Sequence, residues 1–227
     1  RQIGCIPTHK FDSETALVKD MMYTVRTLKS SILLYPEASY SFDGTSPTPL
    51  PESLGKCIKL LKVPVVMIRT YGAFQRDPLY NLLKLRNVDV SADMEYLLSP
   101  EEIASLTSDD INSLVSSRFA FDHFQWQKEN GIEVKEDFRT DGLCSVLYKC
   151  PKCGKEGEME SGGEEIWCSS CAKKWRMEED GSLKAMDGDD IFSSVPEWSR
   201  WERLETEKEI DRGEYKVDVP VEILMHV

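Results

Sequence analysis

Leu17, Met21, Val25 and Leu28 recur at helical spacing, and Ser13 stands ahead of Glu14 as an N-cap, so the pattern predicts an amphipathic helix over 14–29. The period then changes. Ile32 to Tyr35 is an unbroken apolar run stopped by Pro36, which reads as a short buried strand over Ser31–Tyr35. Asp43-Gly44, the neighbouring hydroxyls and three prolines make residues 41–51 a loop. Leu54, Ile58 and Leu61 share one face of a helix over 51–62, and the β-branched run Val63–Thr70 reads as a second buried strand. Val88, Val90, Ala92 and Met94 alternate, as in a half-exposed strand. Helix-strand-helix-strand order with continuous apolar strands predicts an α/β sheet, largely parallel and covered by helices on both faces.

Further along, Ser99-Pro100-Glu101-Glu102 and Ser108-Asp109-Asp110 read as helix starts, and Gly131 as a stop. The segment from Gly142 to Gly154, "GLCSVLYKCPKCG", then opens a new domain. Near the end, a helix is expected from about Pro196, with Trp198, Trp201, Leu204 and Ile210 as an apolar stripe packed on the core or on the next domain. Its polar face is Glu-rich, which disfavours a membrane-surface role, since that calls for Lys and Arg. After a turn at Gly213, Tyr215, Val217, Val219 and Val221 alternate as a strand. The expected division is residues 1–142, a small β ribbon over 143–184, and a helix-strand segment over 185–227 that begins a further, truncated domain. A chain that opens on Arg1 and closes on strand-like alternation reads as a piece of a longer protein.

Composition sharpens this picture in two places. The net charge of -12 is uneven: residues 1–98 carry 12 Lys and Arg against 10 Asp and Glu, whereas residues 99–227 carry 16 against 30. An acidic second half argues against nucleic acid as a partner, because that affinity comes mainly from cations neutralising phosphates. The apolar runs are of strand length, far short of the roughly 20 residues of a membrane span.

Four of the seven cysteines cluster as Cys150-x2-Cys153-x14-Cys168-x2-Cys171. Two tight knuckles at this spacing aim four thiolates at one point, the tetrahedral shell of structural Zn2+, or of iron in the same shell. Four cysteines leave no open coordination position, so the metal is expected to be structural rather than catalytic. Gly154 suits the positive φ that such a knuckle needs, while Ala172 stands at the matching position of the second knuckle. A hairpin turning at Gly162-Gly163 joins the two, and the core of the ribbon is expected over about 146–178. Cys5, Cys57 and Cys144 sit in apolar contexts and read as small core residues.

The remaining chemistry gathers after Pro36. Glu37 would lie just past the carboxyl end of a parallel strand, where open α/β sheets bind ligands. Ser39, Tyr40 and Ser41 add hydroxyls, a set suited to holding a polyol; a loop glutamate that caps a turn is the plainer alternative. The block Tyr35-Pro36-Glu37-Ala38-Ser39-Tyr40-Ser41 resembles the Phe-Pro-Glu-Gly-Thr-Arg-Ser block of the PlsC-like (1-acyl-glycerol-3-phosphate) acyltransferases. Val63-Pro64-Val65-Val66-Met67-Ile68 is similar to that family's Val-Pro-Val-Val-Pro-Val strand. Gly4 to Lys10, "GCIPTHK", stands where the family has Gly-x-x-Phe-Ile-x-Arg. A cysteine ribbon behind Gly142-Leu143 and Val146-Leu147-Tyr148 also looks like a bacterial subgroup of these enzymes.

The resemblance covers roughly residues 1–98 and implies a partial acyltransferase sheet in a cytoplasmic protein, peripheral at the inner membrane face. It implies transfer of a fatty acyl group from acyl-CoA or acyl carrier protein to a lysophospholipid or glycerol-phosphate hydroxyl. Glu37, Ser39, Lys10 and Tyr40 would then hold the acceptor, with membrane contact made by the full-length protein. The family's base is the histidine of a His-x4-Asp pair, oriented by the aspartate. No such pair occurs in residues 1–227. His9 begins a His-x4-Glu, but at the position of the family's second block, so it is a weak candidate and the catalytic pair is expected upstream. Tyr40 replaces an arginine and Ala38 a glycine; Tyr40 lacks the bidentate phosphate grip of a guanidinium, so either the acceptor's head group differs from a glycerol phosphate or the charge comes from elsewhere, as from Lys10 or Arg69. His123, between aromatics on a helix, reads as a packed histidine. The alternative is a zinc-ribbon interaction or regulatory module on a catalytically inactive acyltransferase-like scaffold.

Overall fold

The structure, a computed structural model, describes residues 6, 15–37, 39–45 and 49–216. It is mixed α/β, with two small antiparallel sheets, and divides into two compact units. Arg1–Leu79 and Leu85–His123 form the first; Tyr80–Lys84 and Phe124–Val227 form the second.

The first unit contains α1 (Thr15–Arg26), α2 (Ser53–Leu61), β1 (Val65–Tyr71), the single turn α3 (Ala73–Arg76), β2 (Ser91–Leu98), α4 (Pro100–Ser105) and α5 (Ser108–Phe119). Its core is Leu54, Leu98, Ile103, Ile111 and Val115, with Ile58, Val65 and Leu114 packed around it. Helices α4 and α5 start on reciprocal capping boxes, Ser99 with Glu102 and Thr107 with Asp110, each satisfying orphan N–H groups at a helix start. Gly55 lets α2 and α5 approach closely. A Cβ there would meet the Ser108 carbonyl oxygen at 2.2 Å, and the Gly55 N–H donates to Asn112 Oδ1 at 2.7 Å.

Three expectations for this unit are corrected, the first being that the sheet is covered on both faces: Val66, Ile68, Met94 and Tyr96 are exposed, so the Val63–Thr70 run is not a fully buried strand. The sheet is not parallel: β1 pairs antiparallel with β2, with Val66 opposite Tyr96 and Ile68 opposite Met94. The connection explains the direction. A parallel return needs a crossover, usually a full helix, whereas residues 72–90 supply only the turn α3 and a 3-10 turn, Leu79–Asn81. Gly72, at φ 76°, starts that reversal where a Cβ would lie 2.2 Å from the Asp89 carbonyl oxygen. Nor is the run at Ser31–Tyr35 a strand. It is unpaired, and Leu33 and Tyr35 are 69% and 75% exposed. The described residues of this unit hold only β1 and β2 as strands, pairing with each other, so nothing among them gives the run a ladder.

The second unit contains most of α6 (His123–Glu129), a 3-10 turn at Leu143–Ser145, and a meander of β3 (Met159–Gly162), β4 (Glu165–Cys168), β5 (Lys174–Met177) and β6 (Leu183–Ala185), followed by α7 (Val195–Asp211). The β3–β4 hairpin turns through Gly163-Glu164, one residue beyond the expected turn, with Gly162 opposite Glu165. Leu143, Leu147, Ile166, Trp175, Met177, Leu183, Val195 and Trp198 are all buried.

Helix α7 buries only part of the stripe expected: Trp198 is buried and Trp201 half-buried against Phe192. Its buried residues are Val195, Pro196, Trp198, Ser199 and Glu202, whereas Leu204 and Ile210 are exposed. An apolar stripe reveals only part of this face, because it also holds Ser199 and the carboxylate Glu202. The alternating segment expected from Tyr215 lies mostly outside the described residues, and Tyr215 itself is exposed. No helix among the described residues is long and apolar enough to cross a membrane.

Candidate metal centre

The four predicted cysteines come together. Their sulfurs all lie within 4.8 Å of one another, with Cys150 Sγ to Cys171 Sγ at 3.6 Å and Cys153 Sγ to Cys168 Sγ at 3.7 Å. No disulfide joins them, and these separations are far beyond a sulfur–sulfur bond of about 2.05 Å. They match the edge of a tetrahedron with metal–sulfur bonds of about 2.3 Å, which is about 3.8 Å. The donor set therefore fits a four-coordinate metal.

The two knuckles are built alike. In the first, Cys150 N–H donates to the Lys155 carbonyl at 2.9 Å and Gly154 N–H to the Cys150 carbonyl at 2.8 Å. In the second, Cys168 N–H donates to Lys173 at 3.0 Å and Ala172 N–H to Cys168 at 2.9 Å. Both turns need a left-handed residue, supplied by Gly154 at φ 72° and Ala172 at φ 58°. Backbone N–H groups of Lys152 and Cys153 point to the Cys150 sulfur, and those of Ser170 and Cys171 to the Cys168 sulfur. Burial outweighs these donors and pushes the Cys150 thiol up to about 12, and the Cys168 thiol up as well. The exposed Cys153 thiol is lowered, chiefly by the Lys155 N–H. A metal cation supplies the positive charge that turns such a set into thiolates.

Two supports hold the knuckles. On one side, Arg139 donates to the Met177 carbonyl at 2.7 Å and pairs with Glu164 at 2.8 Å, while Gly163 N–H donates to Asp141 at 2.7 Å, fixing the hairpin turn. Lys84 beside Asp141 holds that carboxyl below its ordinary range. On the other side, α7 meets the residue before Cys150: Trp198 Nε1 donates to the Lys149 carbonyl at 3.0 Å, and Lys149 N–H donates to Glu202 Oε1 at 2.7 Å. Trp198 also packs on Trp175 with ring centroids 4.7 Å apart. Burial pushes the Glu202 carboxyl up to about 8. Neither Glu202 nor Lys149 carries a sequence signal for this role; the one hint is a glutamate a turn after a tryptophan on a helix beside a knuckle.

The other predicted residues lie in the first unit. Glu37 is half-buried in the turn after Pro36, while Ser39 and Tyr40 are exposed. His9 and Lys10 lie outside the described residues, as does Ala38. The loop behind this block is locked by a side chain that sequence reading treated only as turn chemistry: buried Asp43 accepts from Thr45 N–H at 3.0 Å and Thr45 Oγ1 at 2.7 Å. The Gly44 carbonyl accepts from His123 N–H at 2.8 Å. Arg69, expected as a source of charge, instead donates to the Arg118 carbonyl and sits over Phe121. His123 packs between Phe74 and Phe121, with ring centroids at 5.3 and 4.8 Å.

Set beside known proteins, the chain matches no family model, no curated relative and no solved structure.

Proposed function

We propose that this chain is the acceptor-binding part of a PlsC-like glycerolipid acyltransferase, carrying a structural Zn2+ in its cysteine quartet. The Tyr35–Ser41 block carries the acyltransferase reading, with Glu37 half-buried directly after Pro36 and the loop behind it pinned by Asp43. In this reading the Glu37 carboxylate accepts hydrogen bonds from the acceptor's hydroxyls, Ser39 and Tyr40 contribute hydroxyls, and Lys10 faces the phosphate. The acceptor hydroxyl attacks the thioester of acyl-CoA or acyl carrier protein. An O–acyl bond forms, the C–S bond breaks, and the hydroxyl proton passes through a base to the leaving thiolate. That base is a His-x4-Asp pair beyond residues 1–227, and the full-length protein works peripherally at the inner membrane face.

The test is acyl transfer from labelled acyl-CoA to lysophosphatidate by the full gene product and its Glu37→Ala variant. Loss of about 100-fold in rate is expected, since a misplaced acceptor forfeits orientation; an unchanged rate sinks the role of Glu37. Residues 1–227 alone are expected to be inactive, and turnover by them would make His9 the base. The exposure of Ser39 and Tyr40 favours a second reading, a metal-stapled interaction module on an inactive scaffold. A full gene product without acyl transfer would select it. For the metal, the sulfur separations favour a tetrahedral ion, and elemental analysis of freshly purified protein distinguishes zinc from iron.

A further inference from the structure

Four side chains on one stripe of α7 converge on the two residues that precede Cys150. Trp198 and Glu202 take the carbonyl and the N–H of Lys149, at 3.0 and 2.7 Å. Thr206 Oγ1 meets Tyr148 Oη at 3.1 Å. Glu209 meets Lys149 Nζ at 2.6 Å, and that ammonium also pairs with Glu156 at 3.2 Å, on the strand side of the knuckle. The spacing 198, 202, 206, 209 is a single helix face. Trp198 reaches the second knuckle's support as well, through Trp175, four residues past Cys171. The start of the helix is tied to the meander, where Leu183 N–H donates to the Ser193 carbonyl at 2.9 Å.

We propose that α7 is an integral part of the metal module: the metal fixes the Tyr148–Cys150 segment on which α7 docks, so metal loading and docking of residues 195–211 are one coupled event. The proposal rests on the reading that the quartet holds a metal. Its physical basis is that the groups at the contact tolerate burial only when paired. Glu202 is 1% exposed and the Lys149 side chain 8% exposed. Glu202 Oε1 accepts the Lys149 N–H at 2.7 Å, and the Tyr148 N–H and Trp198 Nε1 also favour its charged form, so two of its three donors belong to the segment that precedes Cys150. A knuckle released from its metal no longer holds the Tyr148 and Lys149 N–H groups in place, and the carboxyl is left buried with fewer donors, a state that favours undocking. Coupling is reciprocal, so a docked helix must raise metal affinity by the factor by which metal favours docking. Glu202 and Trp198 then act as positioning residues for a metal they do not touch.

The experiment uses the whole chain loaded with Zn2+ and the same chain stripped by a chelator. Stoichiometric zinc in the loaded protein is established first; a chain that binds none overturns the metal reading itself, and the coupling with it. With zinc bound, amide hydrogen exchange over residues 195–211 is expected to accelerate at least about tenfold on stripping, and emission from the buried Trp175–Trp198 pair to shift to the red. Equal protection of α7 with and without zinc overturns the coupling while leaving the metal site intact. Glu202→Ala should weaken zinc about 10- to 100-fold in competition with a chromophoric chelator, the range typical of groups that orient metal ligands. Glu202→Gln, which keeps an acceptor for Lys149 N–H, should stay within a few-fold of the parent. Should Glu202→Ala fail to fold, the exchange comparison on the unsubstituted chain still decides.

Discussion

Burial between Phe74 and Phe121 pushes the His123 imidazole down to about 4, only partly offset by the Asp122 charge, and leaves its Nδ1 without a partner. In the unfolded chain the same group has its ordinary value of about 6.5. Because the folded value is depressed, the neutral ring's contribution to stability is complete above about 6.5 and is lost as pH falls towards 4. The loss is about 2–3 kcal/mol, at no more than about 1.4 kcal/mol per pH unit. Urea unfolding of the first unit at intervals from pH 7 to 4 is expected to show this slope, and His123→Phe to flatten it. An equally steep slope in the variant would place the acid sensitivity elsewhere. That His123 is a packed residue was readable from its aromatic neighbours in sequence. Its anchoring of the Gly44 turn was not, since 79 residues separate the two and nothing local marks the contact.

At the scale of elements, the two knuckles offer a matched comparison, with the same hydrogen bonds closing over glycine in one and alanine in the other. A Cβ on Gly154 would meet nothing within 4 Å, so Gly154→Ala tests backbone conformation alone. It should cost about 1 kcal/mol. Ala172→Gly should gain up to about 1 kcal/mol, the relief of left-handed strain less the added freedom of the unfolded chain. Thermal unfolding of the zinc-loaded protein reads both, and a loss on Ala172→Gly would contradict the shared construction. Both knuckles were visible in the sequence because metal spacing is local. The direction of β2 was not, because a continuous apolar run such as Val63–Ile68 does not say whether its partner runs up or down; the short 72–90 connection decides that. The face of α7 was legible only in part, at Trp198, for a related reason. A periodicity of apolar residues passes over Glu202, the residue that accepts the Lys149 N–H.

For the whole molecule, the two units differ in what holds them together. The first has an apolar core around Ile103 and Ile111, and its described cysteine, Cys57, is a free thiol raised by burial. The second hangs strands of three and four residues on four cysteines. Strands this short bury little surface with which to order their loops, so a metal held by the quartet would contribute its binding energy to the folding of that unit. A chelator at neutral pH should therefore abolish protection of the amides in β3–β6 while leaving α2, α4 and α5 protected. Hydrogen exchange resolved by peptide reads both units in one sample. Acid is a poorer probe, because protons displace metal from thiolates over a range in which His123 also weakens the first unit. Readdition of Zn2+ should restore the ribbon's protection in full. If β3–β6 stay protected without metal, the quartet is not what orders the ribbon, which then stands on buried residues such as Ile166, Trp175 and Leu183.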